Sequence, residues 1–221
     1  VVFVAMGRYG GRECSYASDA DVIAVHEAVG SASDAEAAAS ATAIVNRVKS
    51  LLGSATSQLG IVVDLDLRPE GKNGPMSRTV ESHREYAQRW ASTWERQAAV
   101  RARPIGEGKL ADRARELFAE LAYGGVSESD VRDIRLLKAR MENERLPRGI
   151  EAARHVKLGP GGLSDVEWTI QLIQMRAGMN DAELRTSSTT QAIQGARDHD
   201  LMSAEDAQIL LQAWDMATRI R

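Results

Sequence analysis

One run of residues limits this chain more than any other: Gly7-Arg8-Tyr9-Gly10-Gly11-Arg12-Glu13-Cys14-Ser15-Tyr16-Ala17-Ser18-Asp19-Ala20-Asp21. The apolar run Val1 to Met6 leads into it, and Val22 to Val25 leaves it. Apolar runs of that length bounded by glycine read as buried strands. Extended backbone over residues 19 to 22 puts Asp19 and Asp21 on one face, because side chains alternate with period two. Two carboxylates so close repel, and both stay ionised only beside a cation. The cation that suits them is Mg²⁺, which takes carboxylate oxygens and keeps positions open for triphosphate oxygens. Glycines just upstream let backbone N–H groups come close to phosphates.

A third carboxylate extends the idea. Ile61-Val62-Val63-Asp64-Leu65-Asp66-Leu67-Arg68-Pro69 begins as an apolar strand and then alternates. Asp64 and Asp66 fall on one face, and Val63, Leu65 and Leu67 on the other. A strand bearing Asp64 beside the strand bearing Asp19 and Asp21 would gather three carboxylates, the donor set of a two-metal nucleotidyl-transfer site. The alternative is structural, with Asp-Ala-Asp a solvated strand end and Asp64 an edge-strand charge.

The 221 residues give room for one large or two small domains. Residues 1–105 mix strand and helix patterns and are expected to form an α/β (α+β) domain. Asp34 to Leu52 is an alanine-rich helix stopped by Gly53, with Ala43, Ile44, Val48, Leu51 and Leu52 as its apolar stripe. Pro69 to Pro75 is a loop. Thr79 to Arg103 is helical in pattern, with a break near Ala91-Ser92. Pro104-Ile105-Gly106-Glu107-Gly108 marks the domain boundary. Residues 106–221 read as helices throughout, an all-α bundle. Helices are expected over Lys109 to Tyr123, after Ser127, from Ser164, over Thr189 to Ala196, and from Ser203 with Ile209, Trp214 and Ile220.

Composition narrows the function classes. Net charge is −3 and no basic tract occurs, which speaks against a nucleic-acid partner. Aromatic content of 5% offers little for stacking single strands. A single cysteine fits a reducing, cytoplasmic setting. No apolar stretch approaches membrane-spanning length, and the opening run lacks a basic leader. The chain starts inside an expected strand and ends inside an expected helix, so it reads as a fragment of a longer protein.

Four blocks together resemble the glutamine synthetase adenylyltransferases. They are Met6 to Asp21, Asp64 to Gly74, Trp94 to Arg103, and Lys157 to Glu167. The resemblance covers nearly the whole chain. It implies a nucleotidyltransferase-superfamily domain followed by a helical bundle. It also implies transfer of AMP from ATP to a tyrosine of glutamine synthetase, two Mg²⁺ ions, and control of the full-length enzyme by a PII-type signal protein. Family members carry two copies of this unit. The Gly10-Gly11 pair and the Val131 to Gly149 stretch look more like actinobacterial C-terminal, adenylylating copies. Phosphate-driven removal of AMP and a non-catalytic regulatory module are the alternatives. Asp66 departs from the family, which often has arginine there, and Cys14 replaces a more usual leucine.

The resemblance assigns Asp19, Asp21 and Asp64 to metal and catalysis. It gives Gly10, Gly11 and Ser18 to the phosphates, and Arg68, Gln97 and Lys157 to the nucleotide. Each has a structural alternative. Arg68 is otherwise a surface arginine, and Trp94, Gln97 and Arg101 share one side of a helix that could simply be amphipathic. Ser164 with Glu167 has capping-box spacing, so Glu167 and Asp165 read first as helix-start residues. His26, His83, His155 and His199 lack metal spacing. Cys14 reads as a packing residue.

Overall fold

A computed structural model describes residues 1–16, 18–53, 60–147 and 149–220. Ala17 of the glycine run, Arg148 of the Val131–Gly149 stretch, and Arg221 lie outside the described residues. The chain divides into two units, Val1–Leu121 and Ala122–Arg221.

In the first unit, the two apolar runs around the glycine segment become β1 (Val2–Ala5) and β2 (Ala20–His26). Residues Val22 to His26 are all buried, as in a strand covered on both faces. Between the strands, Gly7–Gly10 makes a single helical turn, α1. β1 and β2 are antiparallel, with Ala5 opposite Val22. The chain crosses over through α2 (Asp34–Gly53) and returns as the two-residue β3 (Val63–Asp64), parallel to β2. β4 (Ser77–Thr79) is also parallel to β2 and pairs farther along it, at Ala24 to His26. β5 (Arg103–Ile105) lies antiparallel to β1. The order is β3-β2-β1-β5, with β4 also beside β2.

Val22 and Ala24 pack on one face with Val45 of α2, Val63 and Leu65. Ile23 belongs to the other face. There it borders, with Met6, Leu67, His83, Phe118 and Leu121, a cavity of about 20 Å³, room for one water.

α2 buries Ala41 and Val45, while Ile44, Leu51 and Leu52 of the expected stripe are exposed. Alanine lies all round this helix, so its apolar side is weakly marked. Ala41 and Val45, one turn apart, are small enough to let the helix come close to the sheet.

The expected break in the next helix is present. α3 (Val80–Trp90) ends where Ala91 turns extended, and Ser92 and Glu95 form a reciprocal capping box at the start of α4 (Thr93–Ala99). The helix does not reach Arg103, as the sequence period suggests. Pro104 pushes its predecessor into extended backbone, and Arg103 enters edge strand β5, where proline is tolerated. Arg101 and Arg103 are therefore not on the helix that carries Trp94 and Gln97. α5 spans Lys109–Tyr123.

Among the described residues after Ile105, every regular element is helical. The second unit holds α6 (Glu128–Glu144), α7 (Leu163–Ala177), α8 (Thr189–Asp198), α9 (Ala204–Ile220) and two short 3-10 turns. Leu163, Val166 and Ile170 of α7 pack with Ala192, Ile193 and Ala196 of α8 and with Ala207, Trp214 and Ala217 of α9. Of the expected α9 stripe, Trp214 is buried, whereas Ile209 and Ile220 are exposed.

The start of α7 corrects the sequence reading. Gly162 is the N-cap and no side chain caps this end. The first amides bond to carbonyls of the preceding loop instead, Leu163 to Val156 at 2.9 Å and Ser164 to Lys157 at 3.0 Å. The Ser164 hydroxyl also donates to the Lys157 carbonyl, at 2.6 Å. Ser164 thus lies inside the helix, and the Ser164–Glu167 capping box does not form. Gly162 permits this close approach, since a Cβ there would stand 2.6 Å from the Val156 oxygen. The acidic group that serves the helix start is Asp165, which accepts from the Gly161 amide at 2.6 Å and pairs with Lys138 of α6.

Candidate active site

Asp21 is the second residue of β2 and Asp64 the second of β3, and the two are register partners across the parallel pair. Partners in register project to the same face. That face is opposite the one on which Val22, Val63 and Leu65 pack. Both aspartates are half-buried, whereas Asp19, just before β2, is exposed. Among the described residues no group of three or more His, Cys, Asp or Glu side chains is gathered closely enough to hold a metal. The register brings Asp21 and Asp64 together, and Asp19 stays out in the approach to the strand.

Gly7 completes this corner. Its φ is +51°, a left-handed conformation that glycine adopts without steric cost. A Cβ at Gly7 would lie 3.0 Å from Asp21 Oδ2. The missing side chain therefore leaves open space against the carboxylate. Hard oxygen donors beside a glycine cradle fit Mg²⁺. The sequence reading passed over Gly7 in favour of Gly10 and Gly11. Its signal was its place as the first residue after the apolar run.

Gly10 has a different job. Its carbonyl and amide are used within the unit, and a Cβ there would collide with the Arg101 carbonyl and stand 2.9 Å from the Ala5 oxygen. Gly11 caps α1 with its amide on the Gly7 carbonyl, at 3.2 Å. Ser18 closes a turn with Ser15: the Ser15 amide donates to the Ser18 hydroxyl at 2.9 Å and the Ser18 amide to the Ser15 carbonyl at 3.0 Å.

Two arginines that the sequence placed on a helix hold the glycine segment from behind. Arg101, 3% exposed, donates through Nε to the Gly7 carbonyl at 3.1 Å and pairs with Glu13. Arg103 donates to the carbonyls of Gly10 at 2.8 Å and Tyr9 at 3.0 Å. The helix-end carbonyls of α1 have no partner within so short a helix, and cations suit that end.

After β3 the chain turns. The Asp66 amide donates to Asp64 Oδ1 at 2.6 Å, a side-chain-to-backbone bond that ends the strand. Asp66 is consequently exposed and off the strand, beside Lys72 at 3.3 Å and Arg68 at 3.9 Å, not on a shared strand face with Asp64. Arg68 is buried. It donates to the Leu65 carbonyl at 2.9 Å and the Gly74 carbonyl at 3.3 Å, bracing the loop from inside.

Gln97 is buried in α4. Lys157 is exposed in the second unit. Cys14 is exposed rather than packed, because the chain leaves the core after Arg12, at φ +59°. Partial desolvation raises the Cys14 thiol's pKa, with Arg8 opposing and Asp21 adding to the rise.

Comparison with known proteins gives two family matches. The model for glutamate-ammonia ligase adenylyltransferase matches residues 1–117, and that for GlnD PII-uridylyltransferase matches residues 135–221. The chain is 48% identical to a bifunctional glutamine synthetase adenylyltransferase/adenylyl-removing enzyme of Streptomyces coelicolor, over 99% of this chain and 22% of that protein. Enzymes of the same description from Streptomyces avermitilis and Bifidobacterium longum are 47% and 46% identical, over 99% and 100% of this chain and 22% and 21% of theirs. The chain thus spans about a fifth of the length of these curated relatives.

Proposed function

The chain belongs to the glutamate-ammonia ligase adenylyltransferase family, and from that membership we propose that it moves AMP from ATP onto a tyrosine hydroxyl of glutamine synthetase, releasing pyrophosphate. The observation that carries this reading is the Asp21–Asp64 pair, in register on one face with Gly7 against it. The catalytic part centres on residues 1–105, with a nucleotidyltransferase-superfamily fold, and residues 106–221 are its helical portion, of which α5 up to Leu121 belongs to the first unit. The mixed sheet before residue 106 and the helices after it support that division.

Asp21 and Asp64, joined by Asp19 from the exposed approach to β2, would hold two Mg²⁺ ions, which when bound would neutralise phosphate charge and lower the pKa of the acceptor hydroxyl. Without a cation the aspartates repel a triphosphate, so nucleotide binding at this corner depends on metal. Gly7 leaves the space that the nucleotide and its cation require. Gly10, Gly11 and Ser18 shape the turn along the triphosphate, and buried Gln97 acts from inside α4. Arg68 acts through the loop it braces. The acceptor, with an ordinary pKa of about 10, gives up its proton to solvent water as its oxygen bonds to the α-phosphorus. The bond from that phosphorus to the bridging oxygen breaks, and pyrophosphate leaves.

Incubation with ATP labelled in the α-phosphate, Mg²⁺ and unmodified glutamine synthetase should leave covalent label on the synthetase. Absence of label with an intact fold would reject the reading. The relatives are named for both addition and removal of AMP, which supports a second reading: phosphate-driven release of ADP from adenylylated glutamine synthetase by the same carboxylates. We favour addition, on the Gly10-Gly11 pair. The PII-uridylyltransferase match over residues 135–221 supports a helical unit that answers to a PII-type signal protein within the longer enzyme. No described helix is long and apolar enough to cross a membrane, and we place the enzyme in the cytoplasm.

A further inference from the structure

We infer that Arg101 is a positioning residue that sets the Asp21 carboxylate for metal binding by fixing the backbone of Gly7; this rests on the metal-dependent reading above. Three observations join at this point. Gly7 stands at φ +51° with its α-carbon facing Asp21 Oδ2. The Gly7 carbonyl accepts from Arg101 Nε at 3.1 Å. The second arm of the same guanidinium pairs with Glu13, and both side chains are shielded, at 4% and 12% exposure.

A left-handed glycine next to a carboxylate is not held by its own conformational preference, because glycine occupies many backbone states. Bonds to its carbonyl select the state: the Gly11 amide gives a local one at 3.2 Å, and Arg101 adds one from 94 residues away in sequence. Glu13 holds the other arm, so the guanidinium plane cannot swing away without losing a shielded ion pair. The Arg101 backbone adds to the clamp, since its carbonyl rests where a Gly10 side chain would be. Arg103 secures the other end of α1 through the Tyr9 and Gly10 carbonyls. Arg101 reaches the carboxylate through Gly7, as partners one layer out commonly tune metal ligands.

The test uses Mn²⁺ as a probe, read by electron paramagnetic resonance on the whole chain, alongside thermal melting. Arg101→Gln should lose stability, because Glu13 is left shielded without its partner, and at a temperature where it is folded it should bind Mn²⁺ about tenfold more weakly or worse. Arg101→Lys, which keeps one donor and the charge, should recover part of the affinity. Glu13→Gln loosens the guanidinium without removing it and should give a smaller loss, so a misfolded Arg101→Gln would not end the test. A parent that binds Mn²⁺ with a folded Arg101→Gln that binds it equally well overturns the inference while leaving the metal site standing. A folded parent that takes up no Mn²⁺ overturns both.

Discussion

Asp21 of β2 and Asp64 of the two-residue β3 are register partners, so two carboxylates sit side by side at the second position of the parallel pair. Like charges directly across a strand pair weaken it by about 0.2–1 kcal/mol. In metal-free buffer, Asp64→Asn should therefore stabilise the first unit by up to about 1 kcal/mol. Asparagine retains an oxygen for the Asp66 amide. The same change should lower AMP transfer by about 100-fold or more. Urea melts with and without Mg²⁺ check this: the parent should gain stability with the ion, and the variant should gain little.

Gly7 and Gly10 should respond differently to alanine. Gly7→Ala puts a side chain at φ +51° and 3.0 Å from Asp21 Oδ2. We expect a stability loss of about 1–2 kcal/mol from the backbone state, with metal affinity falling further than stability does. Gly10→Ala drives a methyl into the Arg101 and Ala5 carbonyls, a rigid backbone contact. That should cost about 3 kcal/mol and reduce soluble yield. A Gly10→Ala protein that melts like the parent would contradict the close packing described for α1.

The start of α7 gives a ranking. Glu167→Gln should cost less than either neighbour, because glutamine keeps a side-chain oxygen of the same reach and Gly162, not Ser164, is the N-cap. Ser164→Ala removes a buried hydroxyl bonded to the Lys157 carbonyl and should cost about 1 kcal/mol. Asp165→Ala removes both the bond from Gly161 and the pair with Lys138 and should be the most damaging of the three. Chemical denaturation of the variants would show a different order if Glu167 were the cap.

His83 makes a prediction about pH. Burial, with a lesser push from Arg78, lowers its pKa to about 4. Its ring edge meets Phe118 at a centroid distance of 5.2 Å, and its Nδ1 has no hydrogen-bond partner among the described residues. The unfolded chain takes up this proton near pH 6.5 and the folded chain only near 4. Stability from this group is complete above pH 6.5 and declines as pH falls, by up to about 3 kcal/mol at pH 4. His83→Phe should flatten that slope. The readout is the parent-minus-variant difference in urea stability between pH 7 and 4; an equal slope in both proteins would contradict it.

Much of this architecture was legible in the residues. The apolar runs around the glycines gave β1 and β2, and the period of two put Asp21 on a face away from Val22. Period and capping residues located most helices, including the break at Ser92. What escaped was set by contacts distant in sequence. Nothing near Gly7 says that Arg101 will hold its carbonyl. The helical period runs on through Arg101, and only Pro104 hints that the backbone has turned to strand. In α2, alanine on every side hid the packed face. At α7, the spacing from Ser164 to Glu167 fits a capping box, but the loop carbonyls of Val156 and Lys157 reach the amides first. Asp66 continues the alternation on paper, yet its own amide folds back on Asp64 and ends the strand.

β2 is bonded along one edge to β1 and along the other to β3 and β4. A strand flanked on both sides opens only when the sheet itself comes apart. Amide hydrogens from Val22 to Val25 should thus exchange with solvent at the rate of global unfolding. Asp21 is the second residue of β2, directly before this slowest-opening segment. Its carboxylate is held by the stability of the entire sheet, and thermal fraying that would blur a site built on a loop does not reach it.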